Sequence, residues 1–242
     1  MLAIKTTNLI KYYRNKLAVN SINLSIKEGE LFALLGMNGA GKTTTIKMLS
    51  CLTPPTSGDA FLLGNSIIKN PQKVKELINI SPQETAVAQN LSVRENLEFI
   101  SLIYDNDKKK AKKKVEEMAI TFNLTDVLKD KTKTLSGGYL RRLSIALALI
   151  SNPRILFLDE PTLGLDVIAR RELWSVIKKL KKKITIILTT HYLEEVEVLS
   201  DRVGIMASGK VKEIGTVDEL IKKANVKTFE DAFVKFATRM EV

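Results

Sequence analysis

The sequence predicts an α/β protein with a mixed sheet core, an antiparallel β part near the amino terminus and an inserted group of helices. Short apolar, β-rich segments alternate with longer amphipathic ones, which is the pattern of a largely parallel sheet covered by helices. A chain of 242 residues can bury one sizeable hydrophobic core. We therefore expect one domain over residues 1–242.

The predicted strands follow from apolar runs and from alternation. Four apolar runs, at residues 31–35, 155–158, 184–188 and 203–206, predict buried parallel strands. Residues 22–26 instead alternate apolar and polar side chains, which predicts a half-exposed antiparallel strand ahead of them. We therefore expect the sheet to be mixed.

The predicted helices lie between and after these strands. Apolar residues at three- and four-residue spacings within residues 167–181 predict a helix packed on the sheet, with Trp174 in the core. Strand signals are absent from 92–151, where helical patterns take over. Further helical patterns occupy 217–224 and 228–236.

These patterns also divide the chain. We interpret the helical stretch as an insertion at about residues 84–151 in an α/β core made of about residues 1–83 and 152–242. No linker or repeat separates the parts, so the insertion is expected to pack firmly against the core.

Composition favours a protein that folds in water. Hydrophobic residues make up 45% of the chain and charged residues 27%, as in ordinary globular proteins. No stretch approaches the roughly 18 apolar residues of a membrane span, and the start lacks the pattern of a secretory signal. A cytoplasmic location is the expectation. The single cysteine, Cys51, cannot form an intrachain disulfide and is predicted to be a small core residue.

The net charge of +11 indicates attraction to phosphate-rich partners, either nucleic acid or an anionic membrane surface. Much of the excess lies in lysine runs at residues 108–114 and 181–183, both in helical surroundings. Neither run is interleaved with aromatic residues, which favours a solvated helix face over a binding patch.

The motif GMNGAGKTT, at residues 36–44, predicts a phosphate-binding loop. Its glycines allow the backbone to wrap around a polyphosphate, and its N–H groups and the following helix start face the negative charge. Lys42 supplies a mobile cation, and Thr43 is expected to bind Mg²⁺ through its hydroxyl. The loop follows a predicted strand and precedes a predicted helix, which is the context that this motif requires.

A second motif, ILFLDEP, ends a predicted buried strand with two adjacent carboxylates. Asp159 is expected to bind Mg²⁺, and Glu160 to orient and deprotonate the attacking water. Two such acids are often only solvated charges, but the preceding phosphate loop favours the functional interpretation.

Five motifs together resemble one family. They are GMNGAGKTT (36–44), SPQE (81–84), LSGGY (135–139), ILFLDEPTLGLD (155–166) and TTHYLEEVE (189–197). In this order and at these spacings they resemble the nucleotide-binding domain of ATP-binding cassette (ABC) transporters over essentially the whole chain. The resemblance implies a P-loop NTPase fold with a RecA-like mixed sheet core, an antiparallel β subdomain and an inserted helical subdomain.

The resemblance also implies roles for residues outside the phosphate loop. Tyr13 matches the aromatic residue that stacks on adenine, with Tyr12 as the alternative. Gln83 matches the glutamine that touches Mg²⁺ and the attacking water, and His191 the histidine that contacts the γ-phosphate. Asp166 matches the aspartate of the loop that crosses the dimer interface.

In the same family, the LSGGY segment binds the γ-phosphate of ATP held by the opposite subunit, so each site needs two chains. The expected catalytic residues are Lys42, Gln83, Glu160 and His191; the expected metal ligands are Thr43, Gln83 and Asp159; the expected nucleotide ligands are Tyr13, Gly36, Asn38, Gly39, Ala40, Gly41, Lys42, Thr43, Thr44, Gln83, Ser136, Gly137, Gly138, Asp166 and His191. Met37 and Tyr139 depart from common family residues at positions where no side-chain phosphate ligand is needed.

The implied function is ATP-driven transport through a separate transmembrane permease, with this chain at the inner face of the cell membrane in a homodimer or heterodimer. The segments at 159–174, 189–206 and 228–233 are most similar to those of export systems, and the longer carboxy-terminal domain common in importers is not expected here. No nucleic acid is expected. An ABC-type ATPase acting on nucleic acid or ribosomes would suit the basic charge, but usually carries two cassettes or a long insertion. A P-loop kinase would have no use for LSGGY.

Overall fold

Strands and helices alternate along residues 1–238, the part of the chain that the computed structural model describes. The strands are β1 (Leu2–Tyr13), β2 (Lys16–Ile22), β3 (Ser25–Lys27), β4 (Leu31–Leu35), β5 (Ser57–Leu62), β6 (Asn65–Ser66), β7 (Ile78–Ser81), β8 (Ile155–Asp159), β9 (Thr185–Thr190), β10 (Arg202–Ala207) and β11 (Lys210–Gly215). The helices are α1 (Lys42–Leu49), α2 (Pro71–Leu77), α3 (Val93–Tyr104), α4 (Lys108–Thr121), α5 (Gly137–Leu149), α6 (Val167–Leu180), α7 (Leu193–Leu199), α8 (Val217–Ala224) and α9 (Phe229–Thr238). Two short 3₁₀ helices, Thr125–Val127 and Thr132–Thr134, lie between α4 and α5.

The central sheet is mixed, as predicted. Its strand order is β11-β10-β4-β9-β8-β7, and only the β10–β11 pair is antiparallel. Every residue of β4, β8 and β9 is buried, because both faces of these strands are covered. Since β4, β8 and β9 run parallel, their carboxyl ends meet at one edge of the sheet, where open α/β sheets bind ligands.

A smaller antiparallel sheet has the order β2-β1-β5-β6, with β3 also paired to β1. The prediction of one strand over residues 22–26 was wrong, because β2 ends at Ile22 and β3 begins at Ser25. Contacts with β1 explain the break: Leu24 N–H donates to the Thr6 hydroxyl at 2.7 Å, and the Asn23 side chain bonds to Asn8 instead of continuing a ladder.

The helices α3, α4 and α5 lie between β7 and β8 in the sequence, within the stretch for which helices were predicted. The lysine run at 108–114 forms the first half of α4, with Ala111 facing the interior. The second run is not helical: α6 ends at Leu180, and Lys182 has a φ of +67°. Trp174 is buried on α6, as predicted, at 4% exposure.

Cys51 follows α1 and is only partly buried, against the cluster beneath the antiparallel sheet, and burial raises the pKa of its thiol. It is therefore less enclosed than the small core residue predicted. Across residues 1–238, no helix combines the length and apolar character that a membrane crossing requires.

Candidate active site

The predicted phosphate-binding loop, residues 36–44, follows β4 and includes the first residues of α1. Gly41 has a φ of +105°, a region that favours glycine. A Cβ on Gly41 would lie 2.6 Å from the Ala18 carbonyl oxygen and 2.7 Å from Met206 Cε. The backbone therefore takes a path here that only glycine permits.

A cavity of about 410 Å³ opens in front of this loop. It is large enough for a substantial part of a nucleotide. Residues from four predicted motifs line it together with others near the amino terminus: Tyr13, Lys16, Ala18, Asn38, Gly39, Ala40, Gly41, Lys42, Thr43, Thr44, Gln83, Glu160, Leu163 and His191. Gly36 is buried beneath the loop.

The carboxylate of Asp159 lies at the end of β8 and is held by two hydroxyls. Thr43 Oγ1 donates to Asp159 Oδ1 at 3.1 Å, and Thr189 Oγ1 donates to the same oxygen at 2.5 Å. The contact with Thr43 joins the first turn of α1 to the end of β8. Asp159 and Thr43 thus present neighbouring oxygens, which is the chemistry that a hard cation prefers.

The neighbouring Glu160 joins the loop lysine to the histidine. Glu160 Oε1 lies 3.1 Å from Lys42 Nζ, and Glu160 Oε2 lies 2.7 Å from His191 Nδ1. Lys42 also donates to the Gly36 carbonyl oxygen at 2.6 Å. Lys42 and Glu160 are almost wholly buried, so each charge is neutralised by the other and not by water.

The backbone of Glu160 has a φ of +48°, which is uncommon for a residue with a side chain. Two groups of Thr189 hold this conformation: the Glu160 N–H lies 3.0 Å from Thr189 Oγ1 and 3.1 Å from the Thr189 carbonyl oxygen. Such a turn at a strand end points the carboxylate into the cavity and away from the sheet.

Two further residues that were predicted for the site, Tyr13 and Gln83, also line the cavity. Tyr13, at the end of β1, is 44% exposed, and Lys11 Nζ lies 5.2 Å from its ring centroid. Tyr12 does not line the cavity. Gln83 is exposed beyond the end of β7, and its side chain makes no hydrogen bond to residues 1–238, which leaves it available to a ligand.

The remaining predicted residues lie apart from this cavity. Ser136, Gly137 and Gly138 form the start of α5, and Ser136 caps that helix without a side-chain hydrogen bond. Asp166 caps α6 by accepting a hydrogen bond from Ala169 N–H at 2.9 Å. A Cβ on Gly138 would lie 3.0 Å from Ala169 Cβ, so the starts of α5 and α6 are neighbours. One chain does not bring these residues to its own phosphate loop.

Five residues of the site were not identified from the sequence. Lys16, Ala18 and Leu163 line the cavity, Thr189 anchors Asp159 and Glu160, and Arg141 holds the Gln83 segment. Thr189 lies in the TTHYLEEVE motif, but its position opposite Asp159 is set by the register of β8 with β9, which no sequence pattern predicts. For Lys16 and Arg141 the motifs contain no signal either.

The buried side chain of Arg141, on α5, donates to the carbonyl oxygens of Pro82 at 2.7 Å and of Gln83 at 2.5 Å. Burial lowers the pKa of its guanidinium, while the charges of Asp159 and Glu195 raise it. An arginine remains protonated under such influences. Arg141 is therefore a fixed cation that connects the helix after LSGGY to the segment that carries Gln83.

The sequence is similar to a known family and to known proteins. The profile of the family described as ABC transporter matches residues 19–163. The chain is 42% identical over 221 residues to the linearmycin resistance ATP-binding protein LnrL of Bacillus subtilis (strain 168), covering 91% of this chain and 71% of LnrL. It is 39% identical to the human phospholipid-transporting ATPase ABCA3 over 217 residues, covering 88% of this chain but 13% of ABCA3.

The fold agrees with these matches. A dimeric post-hydrolysis structure of the ATP-binding cassette MJ0796, bound to ADP and Pi, superposes with a TM-score of 0.80 at 26% identity. The superposition covers 88% of this chain and 98% of the MJ0796 chain.

Proposed function

The chain belongs to the ABC transporter family and carries its ATP-binding, ATP-hydrolysing domain; from that premise we propose that it drives export through a separate membrane-spanning permease by ATP-dependent closure of a dimer. The catalytic part of this proposal rests on one observation: beside the phosphate loop, the carboxylate of Glu160 contacts both Lys42 and His191.

ATP binding begins at the phosphate loop. The backbone N–H groups of Gly36–Thr44 and the start of α1 form the phosphate cradle, and Tyr13 offers a half-exposed ring at the cavity wall for adenine. Polyphosphate oxygens compete for Lys42, which exchanges its contacts with Glu160 and the Gly36 carbonyl for them.

Release of Lys42 prepares Glu160 for catalysis. The carboxylate then loses its neutralising cation while His191 keeps it in place through the 2.7 Å contact. Glu160 can accept a proton from water aligned with the γ-phosphate, and Gln83 and His191 orient that water and the phosphate. The strained backbone held by Thr189 fixes the direction of the base.

The donor set also fits Mg²⁺. Thr43 and Asp159 present a hydroxyl and a carboxylate whose oxygens lie 3.1 Å apart beside the phosphate loop, and Gln83 faces the same cavity. Mg²⁺ in nucleotide sites is usually bound by one or two protein oxygens together with phosphates and water. When bound, it would neutralise part of the phosphate charge; Thr43, Asp159 and Gln83 would hold it.

The dimer follows from the position of the LSGGY segment. Ser136, Gly137 and Gly138 lie outside the cavity of their own chain, with N–H groups at a helix start that suit a phosphate. The dimeric arrangement of MJ0796 supports the same assembly here. We propose that these residues and Asp166 complete the site of a second chain, either identical or homologous.

The exposed face of α3 is a candidate contact surface for the permease. Phe99 and Ile103, one helical turn apart, are 58% and 62% exposed, although apolar side chains of this size are usually covered. The segment that carries Gln83 leads into this helix. We propose that the permease covers the Phe99–Ile103 face, which would place the chain on the inner surface of the membrane. Copurification of tagged protein with a multispan membrane protein, lost in Phe99→Asp but not in Leu52→Asp, tests this.

The direction of transport rests on the relatives. LnrL is a resistance ATP-binding protein and ABCA3 a phospholipid-transporting ATPase, both of which support export of an amphipathic compound. The alternative, an ATPase acting on nucleic acid or ribosomes, has no support from these relatives.

Glu160→Gln tests the catalytic proposal. The variant keeps the size of the side chain and one acceptor oxygen but cannot accept a proton, so kcat for ATP hydrolysis is expected to fall by about 100-fold or more. The Kd for ATP, measured by titration of a fluorescent analogue, is expected to stay within about threefold of wild type. Glu116→Gln, on the exposed face of α4, is the matched control and should leave both values unchanged. Retained hydrolysis in Glu160→Gln would remove Glu160 from the role of base.

A further inference from the structure

One buried carboxyl beside the site takes no part in the mechanism above. Glu195 on α7 is completely buried, whereas Glu194 and Glu197 on the same helix are exposed. Its Oε1 accepts a hydrogen bond from Trp174 Nε1 on α6 at 3.1 Å. Among residues 1–238, Glu195 forms no ion pair. Burying a charged carboxylate without a paired cation is costly, which favours the neutral acid at such a place.

The neighbours of Glu195 are the two segments that present the catalytic groups. Thr162 lies two residues after Glu160, and Thr190 immediately precedes His191. Burial is the main influence on Glu195 and raises the pKa of its carboxyl. The charge of Glu160 acts in the same direction, while the hydroxyls of Thr190 and Thr162 and the indole of Trp174 lower that pKa. Arg141 also faces this carboxyl, but its N–H groups are engaged by Pro82 and Gln83.

Two buried polar atoms at this place lack a well-formed hydrogen bond. They are Glu195 Oε2 and the Thr162 hydroxyl. A single hydrogen bond between Glu195 Oε2 and Thr162 Oγ1 would satisfy both atoms, and buried polar groups are nearly always satisfied in this way. Either group can be its donor; with the carboxyl uncharged, Oε2 donates to Thr162 while Oε1 continues to accept from Trp174.

We propose that Glu195 is a positioning residue for ATP hydrolysis, whose neutral carboxylic acid ties Trp174 of α6 to the segments that present Glu160 and His191. This inference rests on the proposed roles of those two residues. The bond from Trp174 fixes Glu195 Oε1, and the acid proton fixes Thr162, so the turn after Glu160 keeps one position relative to His191. Glu195 does not line the nucleotide cavity, and acts only through its neighbours.

The proposal predicts that glutamine, unlike other residues, can replace Glu195 with little loss of activity. A glutamine amide accepts from Trp174 through its oxygen and donates to Thr162 through its nitrogen, as the neutral acid does. Glu195→Gln should therefore keep kcat within about threefold of wild type. Glu195→Ala and Thr162→Val each remove the link, and kcat is expected to fall about tenfold or more, with the Kd for ATP nearly unchanged because the phosphate loop is intact.

Steady-state ATP hydrolysis, ATP titration and thermal unfolding of these variants test the proposal, with Glu197→Gln and Glu197→Ala as matched controls on the exposed face of α7. Combined Glu195→Ala and Thr162→Val should lower kcat no further than Glu195→Ala alone, because Glu195→Ala already removes the contact with Thr162. Should Glu195→Ala fail to fold, Glu195→Gln and Thr162→Val still decide the question.

Three outcomes overturn the proposal. Loss of kcat in Glu195→Gln as large as in Glu195→Ala would mean that the charge matters and not the hydrogen bonds. Wild-type kcat in Thr162→Val, or additive losses in the double variant, would mean that Thr162 is not held by Glu195. An inactive wild type would instead overturn the proposed function, which keeps the two failures distinct.

Discussion

At the scale of single residues, the charged side chains of the site are in direct contact with one another. Lys42 and Glu160 neutralise each other in a buried contact, and His191 holds the second oxygen of the same carboxylate. Removing one member of such a pair is strongly unfavourable because it leaves a buried charge alone. In the proposed mechanism a polyphosphate offers Lys42 a stronger partner, so that ligand binding and release of Glu160 as the base would be one event. The contact between Lys42 and Glu160 is sufficient to connect these two events.

Gly41 illustrates a residue whose identity is dictated by space as well as by backbone conformation. Gly41→Ala combines a φ of +105° with contacts of 2.6 Å and 2.7 Å, and is expected to lower the free energy of unfolding by about 2–4 kcal/mol. Gly64→Ala is the matched control, since Gly64 has a φ of +82° but nothing near an added Cβ, and about 1 kcal/mol is expected there. Denaturant unfolding of both variants measures the difference. Equal losses would show that the loop yields to the added methyl group.

At the scale of elements, α5 connects two parts of the mechanism. Its first residues are the LSGGY segment, and its second turn holds the Gln83 segment through Arg141. Ser144 of α5 also lies 2.9 Å from Ser81 of β7 through their hydroxyl oxygens. A displacement of α5 by a second chain would therefore reach Gln83 and the chain leading to α3.

Arg141→Met tests this connection. Methionine keeps the apolar packing of the side chain but frees the carbonyls of Pro82 and Gln83, so amide hydrogen exchange is expected to rise in the segment after Ser81. Arg142→Met is the matched control, because Arg142 contacts Glu172 and Tyr139 and not this segment. Hydrogen exchange measured by mass spectrometry compares the variants. Unchanged exchange in Arg141→Met would contradict the connection.

At the scale of the whole molecule, the described chain holds half of each proposed site. The cavity contains the phosphate loop, Glu160 and His191, while the start of α5 lies elsewhere on the same chain. In the proposed closed dimer the two halves would join, and the stability of that dimer would depend on the phosphate that both halves bind. Hydrolysis would then remove the shared ligand and permit reopening, which is the cycle that a transporter needs.

Gly137→Asp tests the two-chain site. An added Cβ on Gly137 meets only Leu165 Cδ2 at 3.8 Å, and an aspartate suits the first turn of a helix, so folding should be retained. Its charge repels the phosphate of the facing chain, so hydrolysis is expected to fall about tenfold or more while the Kd of the isolated chain for ATP stays within about twofold. Light scattering in a Glu160→Gln background should show an ATP-dependent dimer that Gly137→Asp abolishes.

Gly137→Ala is the matched control for that experiment. It adds the Cβ without the charge and should keep both dimer formation and hydrolysis near wild-type values. A dimer that forms equally well with Gly137→Asp would place the LSGGY segment outside the shared site.

The sequence by itself determined the buried strands, the phosphate loop and the family, because these depend on residue type at close spacing. Runs such as residues 31–35 need cover on both faces wherever they lie, and the glycines of GMNGAGKTT predict their own backbone path. The boundary of the helical insertion at about 84–151 stays a prediction.

Only the tertiary structure decided which distant residues meet. Register between parallel strands sets Thr189 against Asp159, and the packing of α5 on β7 brings Arg141 to the Gln83 segment. The break between β2 and β3 depends likewise on Thr6 and Asn8, which are far away in sequence. The burial of Glu195 against Trp174 is of the same kind, because helical spacing on α7 does not reveal what α6 places opposite it. Contacts between elements depend on the whole fold, and therefore local patterns do not predict them.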